Sequence, residues 1–355
     1  MSIQNYSTAP ARNLIHAAMD MLDHAENITV LGDFGTQKEH PQRHSDTVVF
    51  RRCLPFGAVA AGSTVEAGGG ARYQGTPNVT PENFVLAEGT TPSSHTLTYQ
   101  DVSVTLQHYG ILFKYSSKAA IMHEDDIPSD MVKQAGETVA EILELVRFGT
   151  LKAGTTVIYS NGSSRASVAT PISRETLRKA ARTLESNRAK KVTSRIAAGP
   201  DYATRSVSPG YLVFHHTDGN ADVRNLAGFT HVGEYAQYKP VHDREIGACE
   251  EFRFIPSPLF APFLGAGAAV GSTGLVSVGG SNVDVYPFLV VAADAWGQVA
   301  LKGMSAVQPV HIKHTTISHA NPLGLFGYVG ANTWFGVVRL NDAWMARIEA
   351  GVTAL

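Results

Sequence analysis

Charge is scarce in this chain. Asp, Glu, Lys and Arg make up only 17% of its 355 residues, against about a quarter in an ordinary soluble domain. Lys and Arg total 29 and Asp and Glu 31, leaving a net charge of −2. Neither the basic excess nor the basic stripe of a dedicated nucleic-acid binder is present. A weakly charged surface implies faces that partners cover. Cysteine is scarcer still: Cys53 and Cys249 give neither a disulfide scaffold nor a CxxC metal site. The chain has no Gly-Lys dipeptide and hence no Walker A loop. It also has no G-x-S-x-G elbow, no H-E-x-x-H helix and no EF-hand loop. The opening "MSIQNYSTAP" has neither a basic n-region nor an apolar h-region, so a signal peptide is not expected and synthesis in a reducing cytoplasm is. No charge falls between Arg253 and Asp284. Glycines and prolines punctuate that run, so loops and short strands are expected there, not a membrane span.

What is present reads as mixed α and β structure. Residues 1–45 are polar, with one short helical pattern in "RNLIHAAMDMLDHA". "TVVFRRCLPF" (47–56) is a strand by its β-branched and aromatic content. A glycine-rich excursion over 57–85 leads into 89–113, "GTTPSSHTLTYQDVSVTLQHYGILF", where Asp101 is the single charge. This is a long, weakly charged β-ribbon of the kind that pairs with another chain unless something covers it. Its apolar phase changes near Asp101 and again before Tyr109, which predicts bulges or bends.

The strongest helical pattern is 130–152, where Val132, Ala135, Val139, Ile142, Val146 and Thr150 form one stripe. Ser129 is the expected N-cap, and the rod would be roughly 35 Å long. A second helix follows Ser173, with Ile172 and Leu177 placed as a hydrophobic staple. Further on, "GYLVFHH" and "EEFRFIPS" read as strands. "NLAGFTHVGEYAQ" reads as a helix or turn, "NVDVYPFLVVAADAWGQVAL" as a strand pair, and "NDAWMARIEA" as a short helix.

Few residues suggest chemistry. His215, His216 and Asp218 in "HHTDGN" are the best metal or acid–base candidates, and would serve a metal-dependent hydrolase. Neighbouring residues on a strand point to opposite faces, however, and "TDGN" is an ordinary turn. On a strand His311 and His314 have opposite parity, so with His319 they read as polar histidines around a strand and loop and not as one zinc site. Arg174, Arg178, Lys179 and Arg182 make a basic helix face, but Glu175 and Glu185 interrupt it. "GAGAAVGSTG" (265–274) lacks dinucleotide spacing and reads as a flexible surface loop.

The succession of blocks is more telling. "LAEGTTPSSHTLTYQDVSVTLQHYGILFKYSSKA" precedes "LVRFGTLKAGTTVIYSNG" and "ISRETLRKAARTLESNRAK". "LAGFTHVGEYAQY", "EIGACEEFRFIPSP" and "DVYPFLVVAADAWGQVAL" come next, and "NPLGLFGYVGANTWFGVVRLNDAWMARIEAG" closes the series. Over about residues 45–350 this order resembles the major capsid proteins of tailed phages of the Schitovirus type, which have the Hong Kong 97 capsid fold. The most specific blocks are the EG-x-TP turn with its Y-x-DV continuation and the VG-x-x-TWF…RLNDAWMARIE tail.

The resemblance implies an α+β fold of the Hong Kong 97 type. Its expected parts are an N-terminal arm (1–45), an extended β-loop (46–118), a spine helix with the peripheral domain (119–200), an axial domain (201–308) and a C-terminal return to the peripheral domain (309–355). It implies a structural and not an enzymatic role, without cofactor or metal: hexamers and pentamers of an icosahedral virion shell enclosing double-stranded DNA. An encapsulin-like nanocompartment shell shares the fold and is the nearest alternative. Expected partners are other copies of the chain, a portal, a separate scaffolding protein, a cementing protein, and packaged DNA held by weak non-specific contact. No membrane partner is expected. Expected inter-subunit contacts are Arg72, Tyr73, Thr91, Thr98, Tyr99, Asp101 and Tyr109. The insert 57–85 is longer than the family's usual connection and is expected to elaborate the loop tip. Some capsids of this fold join an extended-loop lysine covalently to a neighbour. No lysine lies between Lys38 and Lys114 here, so a non-covalent shell is expected.

Overall fold

The computed structural model describes residues 29–53, 84–92, 94, 96–97, 99–122, 127–192, 209–235, 239–271, 273–302, 307–319 and 321–355. The expected N-terminal helix and almost all of the 57–85 insert lie outside them. The chain divides into two compact units. The first comprises the described residues of Met1–Val48, Ser103–Arg147 and Gln298–Val337. The second comprises those of Val49–Val102, Phe148–Gly297 and Val338–Leu355.

The strands β1 (Thr36–His40), β2 (Thr47–Cys53), β3 (Tyr99–Thr105) and β4 (Gln107–Ser116) come first in the chain. Helices α1 (Ser117–Met122) and α2 (Ile127–Lys152) follow. β2 pairs with β3 as a two-stranded ribbon. β3 and β4 are separated by Leu106, where the exposed phase switches: Val104 and Leu106 are buried, then Ile111, Phe113 and Tyr115 take the inward positions. The phase change expected before Tyr109 therefore falls at a real break between strands.

The five-stranded sheet of the first unit runs β1–β11–β13–β12, with β4 on β13. Here β11 is Trp296–Leu301, β12 Gln308–Ile312 and β13 Phe326–Arg339. The ten residues of β4 pair antiparallel with β13 from Ser116↔Phe326 to Gln107↔Phe335. Tyr115, Val329 and Ala331 on the inner face pack against Met131, Val132, Ala135 and Val139 of α2. Gly327 is obligatory in this packing, because a Cβ there would lie 2.4 Å from the Tyr115 ring.

α2 is the spine read from the sequence, but it starts earlier, so Pro128 and Ser129 lie in its first turn and Ser129 is no cap. Pro is well suited to that turn, where backbone N–H groups lack intrahelical acceptors. The apolar stripe holds for Val132, Ala135 and Val139. Beyond them the buried positions are Ala140, Glu144, Arg147, Phe148 and Leu151, while Ile142, Val146 and Thr150 are only half-buried.

The second unit is built on a seven-stranded mixed sheet ordered β5–β14–β10–β6–β9–β8–β7. Its strands are β5 (Val157–Tyr159), β6 (Tyr211–His215), β7 (Phe229–His231), β8 (Gly247–Cys249), β9 (Phe252–Pro256), β10 (Tyr286–Val291) and β14 (Met345–Ala350). α3 (Arg174–Ser186) lays Leu177, Ala180 and Leu184 on this sheet. Its start is as read: Ser173 accepts from Thr176 N, and the Thr176 hydroxyl caps Ser173 N in return. The short helix α4 (Asn220–Arg224) follows β6.

Three sequence expectations are corrected. "NDAWMARIEA" is not a helix: a 3₁₀ turn at Asp342–Trp344 leads into β14, which pairs with all six residues of β10. Ala, Met, Arg and Glu favour helix, but burial beside a central strand overrides that preference. "NLAGFTHVGEYAQ" supplies the edge strand β7 and a 3₁₀ turn. β10 and β11 are both strands but belong to different sheets, so they are not a hairpin. The C-terminal segment likewise divides, with β13 in the five-stranded sheet and β14 in the seven-stranded one. In the 265–274 loop, Gly265, Gly271 and Gly274 take positive φ. Gly267, by contrast, is packed where a Cβ would meet Val283 O at 2.8 Å and Val168 O at 2.9 Å.

Candidate functional site

Of the 89–113 stretch, β13 of the same chain covers residues 107–113, and β3 is left to pair with β2 as a two-stranded ribbon whose geometry suits an adhesive surface. Arg51 donates from Nε and Nη2 to the two carboxylate oxygens of Asp101, each at 2.7 Å. This bidentate fork holds the ribbon's register across the strands. It also draws the Asp101 carboxyl below its usual range and raises Arg51, first through the hydrogen bonds and then through charge. Arg52 donates to Gln100 Oε1 one position away. With these groups paired internally, the ribbon presents apolar side chains. Val49 is 43% exposed, Leu97 60% and Tyr99 59%.

The expected contact residues fall in different places. Tyr99 stands exposed on β3, and Asp101 is paired within its own chain. Thr91 lies in the exposed lead-in to the ribbon. Tyr109, opposite Thr333 on β13, is half-buried in phase with Ile111 and Phe113. Arg72, Tyr73 and Thr98 lie outside the described residues.

The histidine constellation does not converge. His215 is fully buried, 5.3 Å from the Phe288 ring and 5.9 Å from Phe254, and its Nδ1 is 2.8 Å from His216 O. Burial lowers its pKa to about 4, so it is a neutral core residue at physiological pH. His216 instead accepts from Asp218 N, and Tyr286 donates to Asp218 Oδ2 at 2.9 Å. Among the described residues no group of three or more His, Cys, Asp or Glu is arranged to hold a metal ion. His311 lies 3.1 Å from the Tyr115 hydroxyl, and His314 packs edge-on to the same ring. The basic face of α3 is partly paired: Arg174 and Arg178 share Glu250, at 2.8 and 2.6 Å, and Lys179 reaches Glu175.

No family model matches the chain. It is similar to the major capsid protein of Pseudomonas phage KPP21, at 22% identity over 265 residues. That match covers 69% of this chain and 66% of the relative, so it spans just under two thirds of the relative's length. The capsid of Ralstonia phage GP4 superimposes with a TM-score of 0.62 at 11% identity, over 100% of this chain and 95% of that one. The capsid asymmetric unit of cyanophage Pam1 gives 0.54 at 12% identity, over 100% and 97%.

The chain has the Hong Kong 97-type phage capsid fold.

Within this capsid fold, one buried polar cluster carries no sequence signal. Glu144 on α2, with no exposed surface, accepts from Val30 N at 3.1 Å and Leu31 N at 2.9 Å through Oε1. Arg147, one turn on, donates from Nε to Gln298 Oε1 at 3.0 Å and lies over the Phe335 ring. The Gln298 amide in turn donates from Nε2 to Gly32 O at 2.9 Å. Together these groups fasten the 30–34 segment to the first unit's core. Their partners lie more than a hundred positions apart in the chain, so no local motif exists to find.

Proposed function

We propose that the chain is the major capsid protein of a tailed phage, a structural and not a catalytic protein that assembles into hexamers and pentamers of an icosahedral, DNA-enclosing virion shell. The observation that carries this reading is the capsid fold, matched over the whole of this chain and over 95% of a solved capsid chain. The relative called a major capsid protein supports it from sequence. The internally satisfied, apolar ribbon and the low charge suit a subunit surrounded by its own copies.

On this reading the five-stranded sheet, which includes β4, and α2 correspond to the peripheral domain, the seven-stranded sheet to the axial domain, and residues 46–106 to the loop that reaches a neighbour. Portal, scaffolding and cementing proteins are the further partners. The absence of lysine between Lys38 and Lys114 means that this loop supplies no amine for covalent locking, so the shell is held by hydrogen bonds and buried area. The test is to image the purified protein by electron microscopy. Closed icosahedral particles or capsomers are expected, and a monomer at every concentration would overturn the reading.

A further inference from the structure

The face of the seven-stranded sheet opposite α3 carries a concentration of positive charge that the described residues do not balance. β14 turns Ile348 into the core under α3, so its neighbours Arg347 and Glu349 share the other face. Glu349 is fully buried and is the one carboxylate in the group. It binds Arg165 through two bonds, Nε to Oε2 at 2.7 Å and Nη2 to Oε1 at 2.8 Å, and accepts from Arg347 Nε at 2.7 Å. Lys152, the last residue of α2, joins them around the Phe263 ring. Its Nζ is 3.8 Å from the ring centroid, and Arg165 Cζ is 3.5 Å from it. Three cations therefore surround one carboxylate, an excess of two positive charges.

The backbone offsets part of that excess. Arg347 Nη1 donates to Lys152 O and Gly154 O at the end of α2, and Lys152 Nζ donates to Ala261 O at 3.0 Å. These are the carbonyls of a helix C-terminus and a loop, and they supply only partial negative charge. Lys152 has no carboxylate partner among the described residues, and burial followed by the two arginines pulls its pKa down. Donors are left over. Arg165 Nη1, Arg347 Nη2 and two of the three Lys152 protons have no acceptor among these bonds. Arg165 keeps a third of its side-chain surface exposed, so the group is open to solvent. The shared Oε1, 2.8 Å from Arg165 Nη2 and 2.7 Å from Arg347 Nε, holds the two arginines within about 5.5 Å of each other, and Lys152 lies against the same Phe263 ring as Arg165. One tetrahedral phosphate accepts from forked guanidinium and ammonium donors across such a span.

We propose that Lys152, Arg165 and Arg347, with Glu349 fixing the two arginines, form a binding site for a phosphate group. The site rests on these side chains and not on the capsid reading. Free inorganic phosphate and the phosphodiester backbone of a nucleic acid share the required chemistry. The experiment uses the full chain under non-assembling conditions, with melting temperature followed in sodium phosphate, in sodium chloride of equal ionic strength, and with a short DNA duplex. At ten times its Kd, phosphate is expected to raise the melting temperature by about 2 °C over chloride. K152Q and R165Q are expected to lose that increment. Whichever of phosphate and duplex saturates at the lower phosphate concentration identifies the source. In case these variants do not fold, acylation of Lys152 in the unmodified protein is measured by mass spectrometry, and phosphate is expected to slow it several-fold. Equal melting in phosphate, duplex and chloride, with no protection of Lys152, would overturn the site. So would a wild-type protein indifferent to both phosphate sources whose particles fail on K152Q, because a neighbouring copy's carboxylate would then be the natural partner.

Discussion

Replacing Glu144 probes how the 30–34 segment is held to the first unit. In E144A, the N–H groups of Val30 and Leu31, both residues fully buried, lose their acceptor. Arg147 loses the carboxylate 3.5 Å from its Nη1. Unsatisfied buried donors cost about 1–3 kcal/mol each, and breaking a buried ion pair costs about 3–5 kcal/mol. Two circumstances reduce the sum. Arg147 keeps Gln298 and the Phe335 ring. Glu144 Oε2 also has no hydrogen-bond partner of its own, so burial already disfavours its charge and raises its pKa above 4.5. The expected loss is therefore about 4 kcal/mol, or roughly a 5 °C fall in melting temperature. E144Q, which keeps an acceptor at Oε1, should lose no more than about 1–2 kcal/mol. Because the folded-state pKa of Glu144 lies above the unfolded one, its contribution is fully present below pH 4.5 and declines as pH rises through the folded value. E144Q should remove that slope. Urea unfolding of unassembled subunits, followed by circular dichroism at several pH values, measures both effects. An E144A variant within about 1 kcal/mol of the parent would refute the anchoring role.

Three further outcomes follow from named contacts. S173A removes one half of the cap on α3 and should cost about 1 kcal/mol in chemical unfolding; no change would mean that the cap is replaced by solvent. The pKa of His215, lowered from 6.5 to about 4, makes its contribution complete above pH 6.5 and lost as pH falls from 6.5 towards 4. That amounts to roughly 3 kcal/mol, and H215L should flatten this part of the pH profile, whereas an unchanged profile would exclude a neutral buried imidazole. Assembled particles boiled in detergent should run as a single band near 37.9 kDa; a ladder of covalent oligomers would contradict a shell without lysine-based locking.

How much of this was legible in the sequence depended on whether the signal was local. The stripe Val132–Ala135–Val139 and the Ser173 cap are short-range patterns, and both helices form there, although α2 begins at Ile127, ahead of its expected cap. The phase change before Tyr109 also located the break at Leu106. β14 was hidden because its composition favours a helix, and only its pairing with β10 makes it a strand. The division of β10 and β11 between two sheets is a topological fact that adjacency in the chain obscures. Glu144 and Arg147 sit on the buried face of α2, where a count of apolar residues passes over them. Lys152, Arg165 and Arg347 come from three separate elements, and their convergence on Phe263 is invisible until the chain is folded.

The most direct test of the central claim is cryo-electron microscopy of the purified chain across a range of concentrations. Closed icosahedral shells, or free hexamers and pentamers, with residues 46–106 of one copy lying on the next are the expected result. A particle that stays monomeric or dimeric throughout would contradict it.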